Sequence, residues 1–83
     1  MGERPIMARK FRAMLKKARK GAGLTQEMLA ERLGRPQSFV SKYEGGGRRL
    51  DVLEFLDIAR AVGFSPAEFF VELEASLNSG RTG

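Results

Sequence analysis

The chain has 83 residues, of which 15 are Lys or Arg and 10 are Asp or Glu, and it contains neither Cys nor His. That length holds one hydrophobic core and no second. Without Cys there is no disulfide framework or thiolate metal site, and without His there is no imidazole to serve as ligand or near-neutral base. No nucleophile, base and orienting group can then be assembled, so the chain reads as a non-enzyme with no metal and no cofactor.

The charge is unevenly spread. Residues 1–20 carry eight basic side chains against one acidic, 21–49 five against three, and 50–83 two against six. The basic end points to a polyanion such as nucleic acid, with an anionic membrane surface as the lesser option. The longest apolar runs are only a few residues, too short for a membrane span or a signal-peptide core, which leads to the expectation of a soluble, cytoplasmic protein with no membrane partner.

In chain order, residues 1–8 read as an N-terminal segment, 9–77 as the domain, and 78–83 as a disordered tail. From about Arg4 to Lys20, the residues Phe11, Met14, Leu15, Ala18 and Ala22 recur every three or four positions, the signature of a helix with one buried stripe. Gly21 to Gly23 end it. A second helix opens at Thr25, a good N-cap, and places Leu29 and Leu33 on one face before Gly34 stops it. After Arg35, Pro36 supplies the first position of a short third helix, "PQSFVSKYE".

Gly45 to Arg49 read as a loop. Asp51 and Glu54 then form an acidic cap for "VLEFLDIARAV", whose polar residues fall every third position. Apolar side chains fill the rest of its circumference, and this helix is expected at the centre of the core. Gly63 ends it, and Ser65, Pro66 and Glu68 make a capping box for a last helix to about Leu77. The fold class is therefore all-α, with five helices and no strand alternation.

Two helices joined by a turn as short as Gly34-Arg35 must cross steeply, which is the helix-turn-helix arrangement, and Ala30 is the small residue at the crossing. A wheel at about 100° per residue sets Ser41, Lys42 and Gly45 within roughly 60° of Ser38, Gln37 about 100° from Ser38, and Pro36, Val40 and Tyr43 on the opposite side. Gln pairs with adenine, Lys reaches guanine O6/N7, and Ser serves either, so this face can read base edges. Phe39, at the boundary, is assigned to core packing over contact with a thymine methyl.

The stretch "LTQEMLAERLGRPQSFVSKYEGGGRRLDVLEFLDIARAVGFSPAEFF" resembles the XRE (Cro/phage-repressor type) helix-turn-helix family. Thr25-Gln26, Leu29-Ala30, Leu33-Gly34, Val40, Ser41 and Glu44 fall at the family's spacing, and the match runs from about Phe11 to Phe70. The resemblance implies a five-helix, repressor-like domain binding double-stranded DNA as a homodimer. The helix 36–44 would then lie in the major groove of a palindromic operator.

Carried over by position, Gln37, Ser38, Ser41 and Lys42 would read bases. Thr25 and Gln26, at the positive end of their helix, would hold phosphate, as would Arg48 and Arg49 in the following loop. Arg19 and Glu44 match a family ion pair, and Phe11, Leu15 and Arg19 step by four along the buried stripe, so the pair is assigned a structural role. "EGGG" departs from the pattern, because Gly45, Gly46 and Gly47 offer phosphate only backbone N–H groups.

Phe69, Phe70, Leu73 and Leu77 share one face of the last helix and are assigned to a dimer seam. Glu68, Glu72 and Glu74 are read as a solvated face, as are most of Arg9, Lys10, Arg12, Lys16, Lys17 and Lys20. The functional expectation is a bacterial, homodimeric transcriptional repressor, nucleoid-associated when bound, with polymerase or a toxin as possible protein partners. The alternatives are an antitoxin or restriction-modification controller on the same fold, or a protein-interaction module that does not read DNA. With no separate sensing domain, control by concentration or partner is simpler than control by a small molecule.

Overall fold

The computed structural model describes residues 5–79. Five helices follow in order: α1 Pro5–Gly21, α2 Gln26–Leu33, α3 Gln37–Gly45, α4 Val52–Val62 and α5 Pro66–Ser79. Of the segments 1–8 and 78–83, residues 1–4 and 80–83 lie outside the described residues. The described remainder is helical, since α1 already begins at Pro5 and α5 carries through Ser79.

Helix boundaries follow local chemistry. The Thr25 hydroxyl accepts the Met28 N–H at 3.0 Å, satisfying one of the orphan donors of α2. Gly34 closes that helix at φ 67°, a left-handed conformation that costs a residue with a Cβ. The Arg35 N–H then returns to the Ala30 carbonyl at 3.0 Å, and this reversal swings α3 across α2.

Pro36 differs from expectation. It is the N-cap of α3 at φ −65°, ψ 152°, and the helix starts one residue later at Gln37. Its ring fixes φ but leaves ψ extended, and its carbonyl accepts from Phe39 N at 2.9 Å, so it caps through its backbone alone. It also lies at the surface instead of on the buried side of the wheel.

The box opening α4 is complete: Glu54 N donates to Asp51 Oδ1 at 2.7 Å, and Asp51 N donates to Glu54 Oε1 at 3.1 Å. At α5, Glu68 N donates to Ser65 Oγ at 3.2 Å.

The core gathers Leu15, Leu29, Ala30, Val40, Tyr43, Phe55, Ile58 and Phe69. Phe55 is its aromatic hub, with the ring centroids of Phe11, Phe64, Phe69 and Phe70 between 5.0 and 5.8 Å away. The expectation for α4 therefore holds along one stripe only: Phe55, Ile58 and Ala59 are buried, while Val52 and Leu53 are each 71% exposed. Neighbouring helices cover one side of α4, and the apolar residues beyond that side are left at the surface. Ala22 is exposed too, because α1 has ended before it.

Candidate nucleic-acid interface

The inner face of α3 is fixed by Phe39, Val40 and Tyr43, all buried. With 3.6 residues per turn, that anchoring turns Gln37, Ser38 and Lys42 outward, and all three are exposed. Ser41 is half-buried, and its hydroxyl donates to the Ser38 carbonyl at 3.3 Å. Phe39 is a core residue, its ring edge-to-face with Tyr43 at 5.4 Å.

Beneath this face lies the Arg19–Glu44 pair. Arg19 Nε donates to Glu44 Oε2 at 2.7 Å and Nη2 to Oε1 at 2.9 Å, with the two side chains 7% and 4% exposed. Nη1 donates to the Leu24 carbonyl at 2.8 Å, so the guanidinium also fixes the loop between α1 and α2. The hydrogen bond to Glu44 raises the Arg19 pKa above its ordinary value against the opposing effect of burial.

The pair continues outward. Gln26 Nε2 donates to Glu44 Oε1 at 3.0 Å, and Gln37 Nε2 donates to Gln26 Oε1 at 3.1 Å. A chain of side chains thus connects the buried carboxylate to the first residue of α3, a link with no signature in sequence spacing. Thr25 is exposed at the same helix end, its hydroxyl occupied as the cap of α2.

The triple-glycine stretch is more ordered than a loop of three glycines suggests. Gly45 is the last residue of α3, Gly46 takes φ 91°, and the N–H groups of Gly46 and Gly47 both turn back to the Lys42 carbonyl, Gly47 at 2.8 Å. Those amides are engaged with the helix end and are not free to donate to phosphate. A Cβ on Gly46 would stand 3.2 Å from Arg12 Cζ, so the Arg12 guanidinium lies directly over the C-terminus of α3, where a cation is favoured.

Arg48 and Arg49 are both exposed after this turn. Arg48 donates to Glu54 through Nη1 to Oε1 at 3.0 Å and Nη2 to Oε2 at 2.9 Å. Arg35, from the turn between α2 and α3, reaches the same Glu54 Oε2 at 3.3 Å. Both guanidiniums lie on the Phe39 ring, with Cζ 4.3 Å (Arg35) and 4.8 Å (Arg48) from its centroid. The Arg48 hydrogen bond, then the Asp51 backbone N–H, pull the Glu54 carboxyl down to about 2. Any stabilisation from this shift is complete above the ordinary carboxylate range and lost as pH falls toward that value.

The residues assigned to a dimer seam separate. Phe69 is buried in this chain's own core and Leu73 packs against it, Leu77 is half-buried, and Phe70 is 50% exposed. Val71, at 68% exposure, and Val52, Leu53 and Leu56 on α4 are apolar surface that a wheel of α5 alone does not disclose. In the basic helix, Arg9, Lys16, Lys17 and Lys20 are exposed, while Lys10 Nζ ties α1 to α5 by donating to the Ser76 carbonyl at 2.8 Å. Among the described residues no helix is long and apolar enough to cross a membrane.

A family model described as helix-turn-helix matches residues 15–69. An XRE-family like protein from Pseudomonas syringae pv. tomato str. DC3000 superposes with a TM-score of 0.82 at 49% identity, over 87% of this chain and 88% of that one. The restriction-modification controller protein C.AhdI from Aeromonas hydrophila gives 0.69 at 34% identity, over 75% and 94%. The controller C.Esp1396I, a tetramer in complex with its natural 35 base-pair operator, gives 0.75 at 28% identity, over 83% and 91%. No curated protein matches the chain. With the short turn between α2 and α3, the outward polar face of α3 and these likenesses together, the chain belongs to the XRE helix-turn-helix family of DNA-binding transcription regulators.

Proposed function

We propose that this regulator is a homodimeric repressor that reads a palindromic operator through α3 in the major groove. The observation that carries the reading is the division of α3, with Phe39, Val40 and Tyr43 held in the core and Gln37, Ser38 and Lys42 turned to solvent. A helix anchored so firmly on one side presents the other in a fixed orientation, which base-edge hydrogen bonds require. Two protomers would set two such helices about 34 Å apart in successive major grooves.

Gln37, Ser38 and Lys42 would choose the sequence, with Ser41 beside them. Thr25, Gln26, Arg48 and Arg49 would meet phosphate and set register. Gln26 would carry a second duty, since its carbonyl holds the Gln37 amide and limits the poses Gln37 can take at a base. Occlusion of polymerase by the bound dimer would then be the repressive step.

A role as restriction-modification controller is the second reading, favoured by the likeness to two such controllers across at least three quarters of this chain.

The test is fluorescence-anisotropy titration against a duplex selected from a randomised library and a scrambled duplex, at several salt concentrations, with stoichiometry read at saturation. Two protomers per palindrome and affinity falling steeply with salt are expected. Lys42→Ala should cost about 1–3 kcal/mol on the selected duplex and much less on the scrambled one. Equal losses on both would remove Lys42 from base reading. Equal, weak binding of the parent protein to both duplexes would instead point to a protein partner.

A further inference from the structure

We propose that Glu54 attenuates phosphate binding by this protein: its carboxylate offsets one charge of the arginine pair flanking α3 and so sets how strongly the protein holds DNA of any sequence. The proposal rests on the DNA-binding reading above and adds to it a residue of opposite sign to the ligand-binding set.

Arg35 precedes α3 and Arg48 follows it, yet both guanidiniums meet over one ring, Phe39, and both donate to one carboxylate, Glu54. Arg48 is more tightly held. Both its Nη atoms donate to Glu54, and Nη1 also donates to the Arg49 carbonyl at 2.9 Å. About a third of each arginine side chain is still exposed, 39% for Arg35 and 37% for Arg48, against 13% for Glu54. A phosphate arriving at this corner therefore meets two cations with an anion seated between them, a net charge of one where two arginines alone would present two.

The capping role of Glu54 does not account for the charge. The third residue of a capping box must accept from the N-cap backbone N–H, and Gln does so as well as Glu. In this chain the carboxylate both accepts from Asp51 N and takes the two arginines. Cap and charge can thus be separated by one substitution: Glu54→Gln keeps an acceptor for α4 and removes the counter-charge. Protein–DNA affinity depends on the number of phosphates neutralised, and each one contributes close to one unit to the slope of log K against log salt. Removing the internal anion returns roughly one cation to the interface.

The experiment compares the parent protein, Glu54→Gln, the paired variant Arg35→Ala/Arg48→Ala and all three changes together on the selected and scrambled duplexes across a salt series, with a thermal melt of each. Glu54→Gln is expected to bind both duplexes about three- to tenfold more tightly near 0.1 M salt and to steepen the salt slope by about one. Removing both arginines, Arg35→Ala with Arg48→Ala, should lower the slope by about one in the parent background, where the trio offers one net cation, and by about two in the Glu54→Gln background. That coupling is a result which a purely structural brace would not give.

An unchanged or shallower slope in Glu54→Gln, with a normal melt, overturns the proposal and makes Glu54 a brace for its arginines. Should Glu54→Gln melt early, the variant lacking both arginines decides alone: about two full units of slope lost in the parent background show that neither arginine was offset by Glu54 and also overturn it. A parent protein that binds neither duplex in a salt-dependent way removes the DNA-binding reading and this inference together. Salt-dependent parent binding with no response to Glu54→Gln removes the inference only.

Discussion

Glu44 accepts two hydrogen bonds from Arg19 and one from Gln26 while almost wholly buried, so its charge is compensated from two directions. A buried pair of this kind contributes less than its Coulomb energy suggests, because both ions were taken from water, but removing one partner strands the other. Glu44→Ala should therefore destabilise the domain by about 3–5 kcal/mol, a large part of the total for so small a protein. Replacing both partners with apolar residues of similar volume should recover most of that loss. Chemical denaturation of the single and double variants checks this, and a single variant as stable as the parent would remove the pair from the fold's energetics. Arg19 was legible in the sequence because its four-residue step from Leu15 put a cation on a buried stripe. The onward link through Gln26 to Gln37 was not, since it depends on where two amide side chains from different helices meet.

Helix ends were the most readable elements, because caps are local chemistry: Thr25, Gly34, the Asp51–Glu54 box and Ser65 all act where their residue types indicate. Pro36 was displaced by one position because proline fixes only φ, leaving ψ to the tertiary crossing. The glycines at the end of α3 make the point quantitative. Gly45 is helical with open space where a Cβ would go, whereas Gly46 sits at φ 91° with the Arg12 guanidinium against that direction. Arg12 is the end of a flexible side chain and can shift, so the backbone conformation dominates at Gly46. Gly46→Ala should then cost about 1–2 kcal/mol, while Gly45→Ala should stabilise by about 0.4–1 kcal/mol through a less mobile unfolded chain. Paired urea melts should show opposite signs for adjacent residues, and a destabilised Gly45→Ala would mean that the turn needs more freedom than its φ values indicate.

What α4 buries could not be told from its own pattern. Its apolar circumference suggested a central helix, but four other short helices cannot surround it, and the excess emerges as Val52, Leu53 and Leu56 on the side away from the core. Phe70 stacks on Phe55 with centroids 5.0 Å apart and is itself half exposed, which brings α5 and its neighbour Val71 alongside α4. In the proposed complex the basic first half of the chain would supply the long-range attraction to DNA, and the proposed dimer is best built from this α4–α5 surface. In that seam Phe69 and Leu73 act from behind, as core that supports it, while Phe70 stays at the contact. A two-fold interface needs apolar surface that is exposed in the protomer, and Leu53 and Val71, at 71% and 68% exposure, meet that condition without belonging to the core. Leu53→Glu and Val71→Glu should each leave the far-UV spectrum helical, shift sedimentation from dimer to monomer, and lower affinity for a full palindrome toward that for a half-site. A variant pair that stays dimeric with operator affinity intact would place the two-fold axis on another face. The same variants should leave binding to a scrambled duplex at low salt nearly unchanged, because the arginines and lysines proposed to meet phosphate lie on other elements.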